Sequence, residues 1–268
     1  MKKLDTILFD WAGTVIDFGC FAPLSAFIAA FESKGITITL DEAREPMGMK
    51  KIDHVRAILE MPRIAELWDK RFHTGPSEAD VREIYDEFER QIFTCLKEHC
   101  RPLPGVIDTV SKLKSEGIKI GSTTGYTRAM MELVIPQARK FDYKPDSIVT
   151  STDVPEGRPA PFMIWQNAIN LVSSDLNAIC KVGDTVSDIR AGINAGVWSV
   201  GVVVGSSEWA LNEDDTARLS GAEHKERVTR IRYKFLRAGA HFVIEEMSEL
   251  PQLVEVINEQ LAEKRKEL

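Results

Sequence analysis

Apolar residues come in short runs along most of this chain, and glycine or acidic residues cut each run off. Thr6-Ile7-Leu8-Phe9 is one such run. It predicts a short buried strand over 6–10 that leads straight into Trp11-Ala12-Gly13-Thr14. A strand ending in an acid and a glycine turn belongs at the carboxyl edge of an α/β sheet, where ligands bind. Further strands are predicted over 118–122, 147–150, 178–183, 198–204 and 241–245. Helical patterns separate the main strands. This alternation predicts an α/β fold built on a doubly wound parallel sheet.

Between the first two strands the period changes from two to 3.6. Leu24, Phe27, Ile28 and Phe31 recur at helical spacing within 23–34. Ser77-Glu78-Ala79-Asp80 matches a capping box, and Val81, Ile84, Phe88 and Ile92 share one face of the helix it opens. Residues 17–100 are therefore expected to form an α-helical cap domain inserted into a catalytic core of residues 1–16 and 101–268. The last part of the chain adds an amphipathic helix near 225–237 and a final polar helix.

Composition narrows the function. With 268 residues, 44% apolar and 28% charged, the chain has the makeup of a soluble globular protein. A net charge of −7 argues against binding to a nucleic-acid backbone, although a local basic pocket for a small anion stays open. The apolar run before Asp10 is too short for a signal segment and no long apolar run follows, so a cytoplasmic location without membrane association is expected. Cys20, Cys95, Cys100 and Cys180 form no CxxC pair, which disfavours disulfides and structural zinc.

Four short pieces fall at predicted strand ends: Asp10-Trp11-Ala12-Gly13-Thr14, Thr123-Thr124-Gly125, Gly157-Arg158-Pro159, and Gly183-Asp184-Thr185-Val186-Ser187-Asp188. Each alone has an ordinary reading as a helix cap, a turn or a surface charge. Together, in one crevice, they supply a nucleophile, hydroxyl donors, a cation and carboxylates for a hard metal ion. Phosphoryl chemistry needs such a set.

The order and content of these pieces resemble the haloacid dehalogenase superfamily, whose core is Rossmann-like. The resemblance implies that Asp10 attacks phosphorus and also binds Mg²⁺. It places Thr123 or Thr124, Arg158 and Gly13 at the phosphoryl group, and it completes the metal site with Asp184, Asp188 and the carbonyl of Ala12. Many phosphatases of this superfamily carry an acid where Ala12 stands. A methyl group cannot protonate an alkoxide leaving group, so an ordinary phosphate ester would leave poorly.

The segment Pro46-Met47-Gly48-Met49-Lys50-Lys51-Ile52-Asp53-His54-Val55 extends the comparison. Together with Gly19-Cys20-Phe21-Ala22-Pro23 and Thr123-Thr124-Gly125-Tyr126-Thr127, it resembles the phosphonoacetaldehyde hydrolase (phosphonatase) family over essentially the whole chain. There a cap lysine forms a Schiff base with the substrate aldehyde. This resemblance implies Lys51 as that lysine, with Lys50 a neighbour. His54 lies three residues on, on the same helix face, as a proton shuttle. Met47, Cys20 and Tyr126 are implied near the imine, although all three also suit core packing. A small-molecule phosphonate is the implied substrate, and a homodimer joined through the cap helices is the implied assembly. A phosphatase or phosphomutase, a non-catalytic phosphonate-binding protein and a Schiff-base aldolase are the alternatives.

Overall fold

The structure, a computed structural model, describes residues 3–263; residues 1, 2 and 264–268, at the outer ends of the expected core segments, lie outside it. Strand β1 (Thr6–Phe9) has every side chain buried, and Ile7, Leu8 and Phe9 are wholly inaccessible. A parallel strand covered on both faces reads in this way, as an uninterrupted apolar run. The other strands are β2 (Lys119–Thr124), β3 (Ser147–Thr150), β4 (Ile179–Gly183), β5 (Trp198–Val202) and β6 (Phe242–Ile244). Among the described residues they form one sheet in the order β3-β2-β1-β4-β5-β6, with every pair parallel. The order in which successive strands are laid down reverses between β1 and β4, and such switch points are where open α/β sheets bind ligands.

Boundaries shift for visible reasons. β2 runs past 122 because Thr123 and Thr124 pair with Val149 and Thr150. β5 stops at Val202, where the amides of Val203 and Val204 still reach the carbonyls of Ile244 and Glu245. A capping box between Ser220 and Glu223 opens the late amphipathic helix at Gly221 rather than near 225.

Five helices fill residues 21–95, after β1: α1 (Phe21–Ser33), α2 (Leu40–Arg44), α3 (Lys51–Leu59), α4 (Pro62–Phe72) and α5 (Glu78–Cys95). α1 packs along α5, and α3 packs against both α5 and α4. Their shared interior is aromatic. The Phe27 ring stacks on Phe88 with 4.2 Å between centroids and on the His54 imidazole with 3.9 Å. The remaining helices flank the sheet: α6 (Val106–Ser115), α7 (Arg128–Arg139), α8 (Phe162–Asn170), α9 (Val186–Ala195), α10 (Glu213–Ala217), α11 (Gly221–Arg237) and α12 (Leu250–Glu263). Among the described residues no helix is long and apolar enough to cross a membrane.

The two chain passages between sheet and inserted helices lie side by side. Ile16 bridges both Ala12 and Pro102, and the Leu103 amide donates to the Val15 carbonyl at 2.8 Å. Asp17 accepts the Phe21 and Ala22 amides at 3.0 Å each, capping α1, and pairs with His99 Nδ1 at 3.0 Å.

Phe27→Ala removes the ring shared by α1, α3 and α5. We expect a loss of about 3–5 kcal/mol, measurable as a lower midpoint in urea unfolding. A loss below about 1 kcal/mol, within the range of ordinary surface changes, would contradict a single packed aromatic interior.

Candidate active site

Register brings the acidic residues together. Phe9 of β1 lies beside Val182 of β4, so Asp10 and Asp184 emerge at the same sheet edge. Asp188 sits in the first turn of α9, where Thr185 caps the helix by accepting the Asp188 amide at 3.2 Å. All three carboxylates are buried, and one oxygen from each lies within 4.8 Å of the others. Gly13 (φ +83°) lets the chain turn tightly under them, since a Cβ there would collide with Asp184 Oδ2.

Buried like charges need cations. Arg158, itself buried, places Nη1 3.0 Å from Asp10 Oδ1 and in contact with Asp188 Oδ1. Lys181, in the middle of β4 and 1% exposed, reaches the same Asp188 oxygen at 2.7 Å. Asp188 Oδ2 accepts from Thr185 Oγ1 at 2.7 Å. Burial alone would raise the Asp188 pKa, but Arg158 and Lys181 outweigh it and hold the carboxyl at about 2. Asp10 goes the other way, raised by burial more than Arg158 can lower it. Asp184 is raised well above the ordinary range, first by burial and then by its two acidic neighbours.

Asp10 Oδ1 has its ion pair with Arg158 but no aligned hydrogen bond. Asp184 takes only the Thr14 hydroxyl at 3.1 Å and the Ser207 amide at 2.8 Å. Three crowded oxygen donors, two of them short of stabilising partners, fit a hard divalent cation. Among the described residues this is the one acidic, histidine or cysteine cluster close enough to hold a metal.

Above the cluster lies a small cavity of about 20 Å³ lined by Asp10, Ala12, Arg158 and Thr124 on one side and by Met47, Gly48 and Lys51 on the other. Cys20, Tyr126, Gly125 and Thr185 complete its wall. Gly48 (φ +90°) allows the 46–50 segment to settle on the core, because a Cβ there would strike Thr185 Oγ1. Lys51, at the start of α3, is 4% exposed; its Nζ lies 5.3 Å from the Tyr126 ring centroid and 5.6 Å from that of Phe27. Its nearest hydrogen-bonding atom is the Met47 sulfur at 3.9 Å. Burial lowers the Lys51 pKa, and the Arg158 charge adds to the shift while Cys20 opposes it. Burial raises the Cys20 thiol and the Tyr126 phenol well above their usual values.

Several expected residues sit elsewhere in the arrangement. Lys50 does not line the cavity; it caps α3 and packs beside Gly157. Thr124 lines the cavity and accepts the Tyr126 amide at 3.1 Å, whereas the Thr123 hydroxyl is buried without a partner and lies off the cavity wall. His54 is wholly buried under Phe27, and Nε2 donates to the Ala43 carbonyl at 3.0 Å, which leaves Nδ1 as an unpartnered acceptor. Burial, then the Lys51 charge, hold its pKa well below the usual histidine value.

Comparison with known proteins matches this arrangement to a family. The haloacid dehalogenase-like hydrolase profile covers residues 4–196. The chain is 50% identical over 258 residues to a phosphonoacetaldehyde hydrolase of Bacillus cytotoxicus, covering 96% of this chain and 98% of that one. The corresponding Bacillus cereus enzyme is 49% identical over the same shares. The chain belongs to the phosphonoacetaldehyde hydrolase family of haloacid dehalogenase-like hydrolases. A crystal structure of a phosphonoacetaldehyde hydrolase-like protein from Oleispira antarctica superposes with a TM-score of 0.95 at 36% identity, covering 97% of this chain and 94% of that one.

Sequence reasoning missed Lys181 and Ser207, and gave Thr14, within the first motif, no role of its own. A lysine inside an apolar strand was the one available signal, because a buried ammonium requires a carboxylate partner. Ser207 acts through its backbone amide, which leaves no mark in residue type.

The raised carboxyls set a pH dependence. A group with a raised folded pKa lends the metal-free fold stability below its unfolded pKa, near 3.9, and loses it as pH rises through the folded value. A divalent cation at Asp10 and Asp184 must therefore displace protons over that range. Calorimetric titration with Mg²⁺ in two buffers of different ionisation enthalpy should show net proton release, with affinity rising with pH until both carboxyls are ionised. Heats independent of buffer at every pH would contradict the raised pair.

Proposed function

We propose that the chain hydrolyses the carbon–phosphorus bond of phosphonoacetaldehyde to acetaldehyde and phosphate, with Asp10 as nucleophile and Lys51 as Schiff-base former. One observation carries the reading: a desolvated lysine amine and the Asp10 carboxylate line the same small cavity, with Ala12 where an ester hydrolase would want an acid. The relatives named as phosphonoacetaldehyde hydrolases match over nearly the full length.

The chemistry follows from where electrons can go. Lys51 Nζ, shifted toward the neutral amine by burial, adds to the aldehyde carbon, and loss of water leaves a protonated imine. Asp10 then attacks phosphorus as the carbon–phosphorus bond breaks. The bonding pair moves into the imine and gives an enamine. Water cleaves the aspartyl phosphate and releases phosphate. The enamine gains a proton at carbon, and water hydrolyses the resulting imine to acetaldehyde, freeing Lys51. The step that breaks the carbon–phosphorus bond needs no proton on a leaving oxygen, which accords with Ala12.

Arg158 and Thr124 are assigned to the phosphoryl oxygens, and Gly13 to the turn that admits them. Mg²⁺, held by Asp10, Asp184 and the Ala12 carbonyl, with Asp188 anchoring Arg158 and Lys181, would supply charge neutralisation at phosphorus. His54 Nδ1, unpartnered and one helical turn from Lys51, is assigned to the proton shuttle that the resemblance implies, although the side chain lies off the cavity wall. Met47, Cys20 and Tyr126 are assigned to shielding the imine from bulk water. In this proposal residues 17–100 act as the cap and the chain works in the cytoplasm, and family resemblance adds a homodimer joined through the cap helices. A phosphatase reading is less favoured, because no acid stands at position 12.

Borohydride added with phosphonoacetaldehyde should inactivate the protein by fixing a two-carbon, substrate-derived adduct on Lys51, visible by peptide mass spectrometry. An adduct on Lys50, or none, would remove the imine from the scheme. Lys51→Arg should bring phosphate release to background, and near-normal turnover would refute the mechanism. Ala12→Asp tests the leaving-group argument. It should raise hydrolysis of simple phosphate esters relative to the phosphonate, and an unchanged ratio would count against it.

A further inference from the structure

Beside the reaction cavity lies a far larger cleft, about 770 Å³, between residues 45–49 and helices α9 and α11. Four cationic side chains face it, Arg190, Arg230, Lys234 and Arg237, against the two acids Glu45 and Glu208. Lys234 and Glu208 neutralise one another at 2.6 Å. Among the described residues Arg190 and Arg230 make neither an ion pair nor a side-chain hydrogen bond, and both are exposed. The cleft is thus locally positive on a chain whose net charge is −7. At its floor the Ser187 hydroxyl is buried and has no hydrogen-bond partner.

The cleft and the reaction cavity share a wall. Met47 lines both, Gly48 and Thr185 line the cavity, and their neighbours Met49, Val186 and Ser187 line the cleft. A cavity of about 20 Å³ holds roughly one water. A phosphonate is larger than that space, so part of the lining must give way for one to reach Asp10, and the shared wall is one such part. The 47–49 segment faces the cations on its outer side and the nucleophile on its inner side.

We propose that this cleft is the anion-recruiting approach to the reaction cavity, drawing in the dianionic phosphonate and returning phosphate past the 47–49 segment. The inference rests on the proposed reaction for the identity of the substrate; for the anionic class it rests on the cleft itself. A cleft lined by one sign of charge focuses the field and raises association rates by about 10–10³-fold at low ionic strength. The effect fades as the screening length contracts with added salt.

The test uses Arg190→Gln/Arg230→Gln and follows association of inorganic phosphate with the Mg²⁺-saturated protein by stopped-flow tryptophan fluorescence. Association should slow by about 3–10-fold at low salt and converge with wild type near 1 M, where screening shrinks to about 3 Å. Arg82→Gln/Arg139→Gln, which removes two exposed charges on α5 and α7, should keep the wild-type rate. Equal rates and salt slopes for wild type and the cleft variant overturn the proposal, as does equal slowing in the control, which would reduce the effect to net charge. Wild-type protein with no salt-dependent phosphate association also overturns it. Protein that associates with phosphate as expected but releases none from phosphonoacetaldehyde refutes the proposed reaction and leaves the cleft standing.

Discussion

Three carboxylates confined within 4.8 Å of one another in a protein interior repel strongly, and the surroundings of this site answer that repulsion. Arg158 is drawn in from the segment after β3, and Lys181 is spent inside a strand where an apolar residue would pack better. Both converge on Asp188, which is fully satisfied. Asp10 and Asp184 are not, and their raised pKa values measure how much unfavourable charge the fold retains. Such retained charge is a liability for a protein that binds nothing there. It is useful for one that receives a cation and a phosphoryl group.

The inserted helices bring a different kind of solvation to the same place. Lys51 sits between the rings of Phe27 and Tyr126, with a thioether as its nearest hydrogen-bonding atom. An ammonium there has exchanged water for weak partners, which shifts it toward the neutral amine. The core thus handles anions with fixed charges, while the helices handle an amine by removing water.

Much of this was legible in the chain. The strand runs were readable because parallel strands buried on both faces keep only apolar residues, and the acids at their ends stand out against them. Asp10, Arg158, Asp184 and Asp188 do converge, and Lys51 rather than Lys50 faces the cavity. Helix α4 carries a signal of its own, Pro62 at its first position and Ile64, Leu67 and Trp68 at helical spacing, and the sequence reading passed over it. Lys181 was hidden by its position in a run that reads as strand interior. The choice between Thr123 and Thr124 needed the pleat, which turns successive side chains to opposite faces. The burial of His54 needed the ring of Phe27, from a helix about thirty positions earlier.

The pinch where Ile16 meets Ala12 and Pro102 has a consequence for ancestry. Because departure and return share one spot, the sheet experiences everything between them as a loop already closed at its base. Doubling the length of such a loop adds only about 0.6 kcal/mol of closure entropy. Excursions of other sizes and shapes could be grafted at that spot with little penalty to the sheet, so the part that chooses the chemistry can be exchanged while the part that handles phosphorus stays as it is.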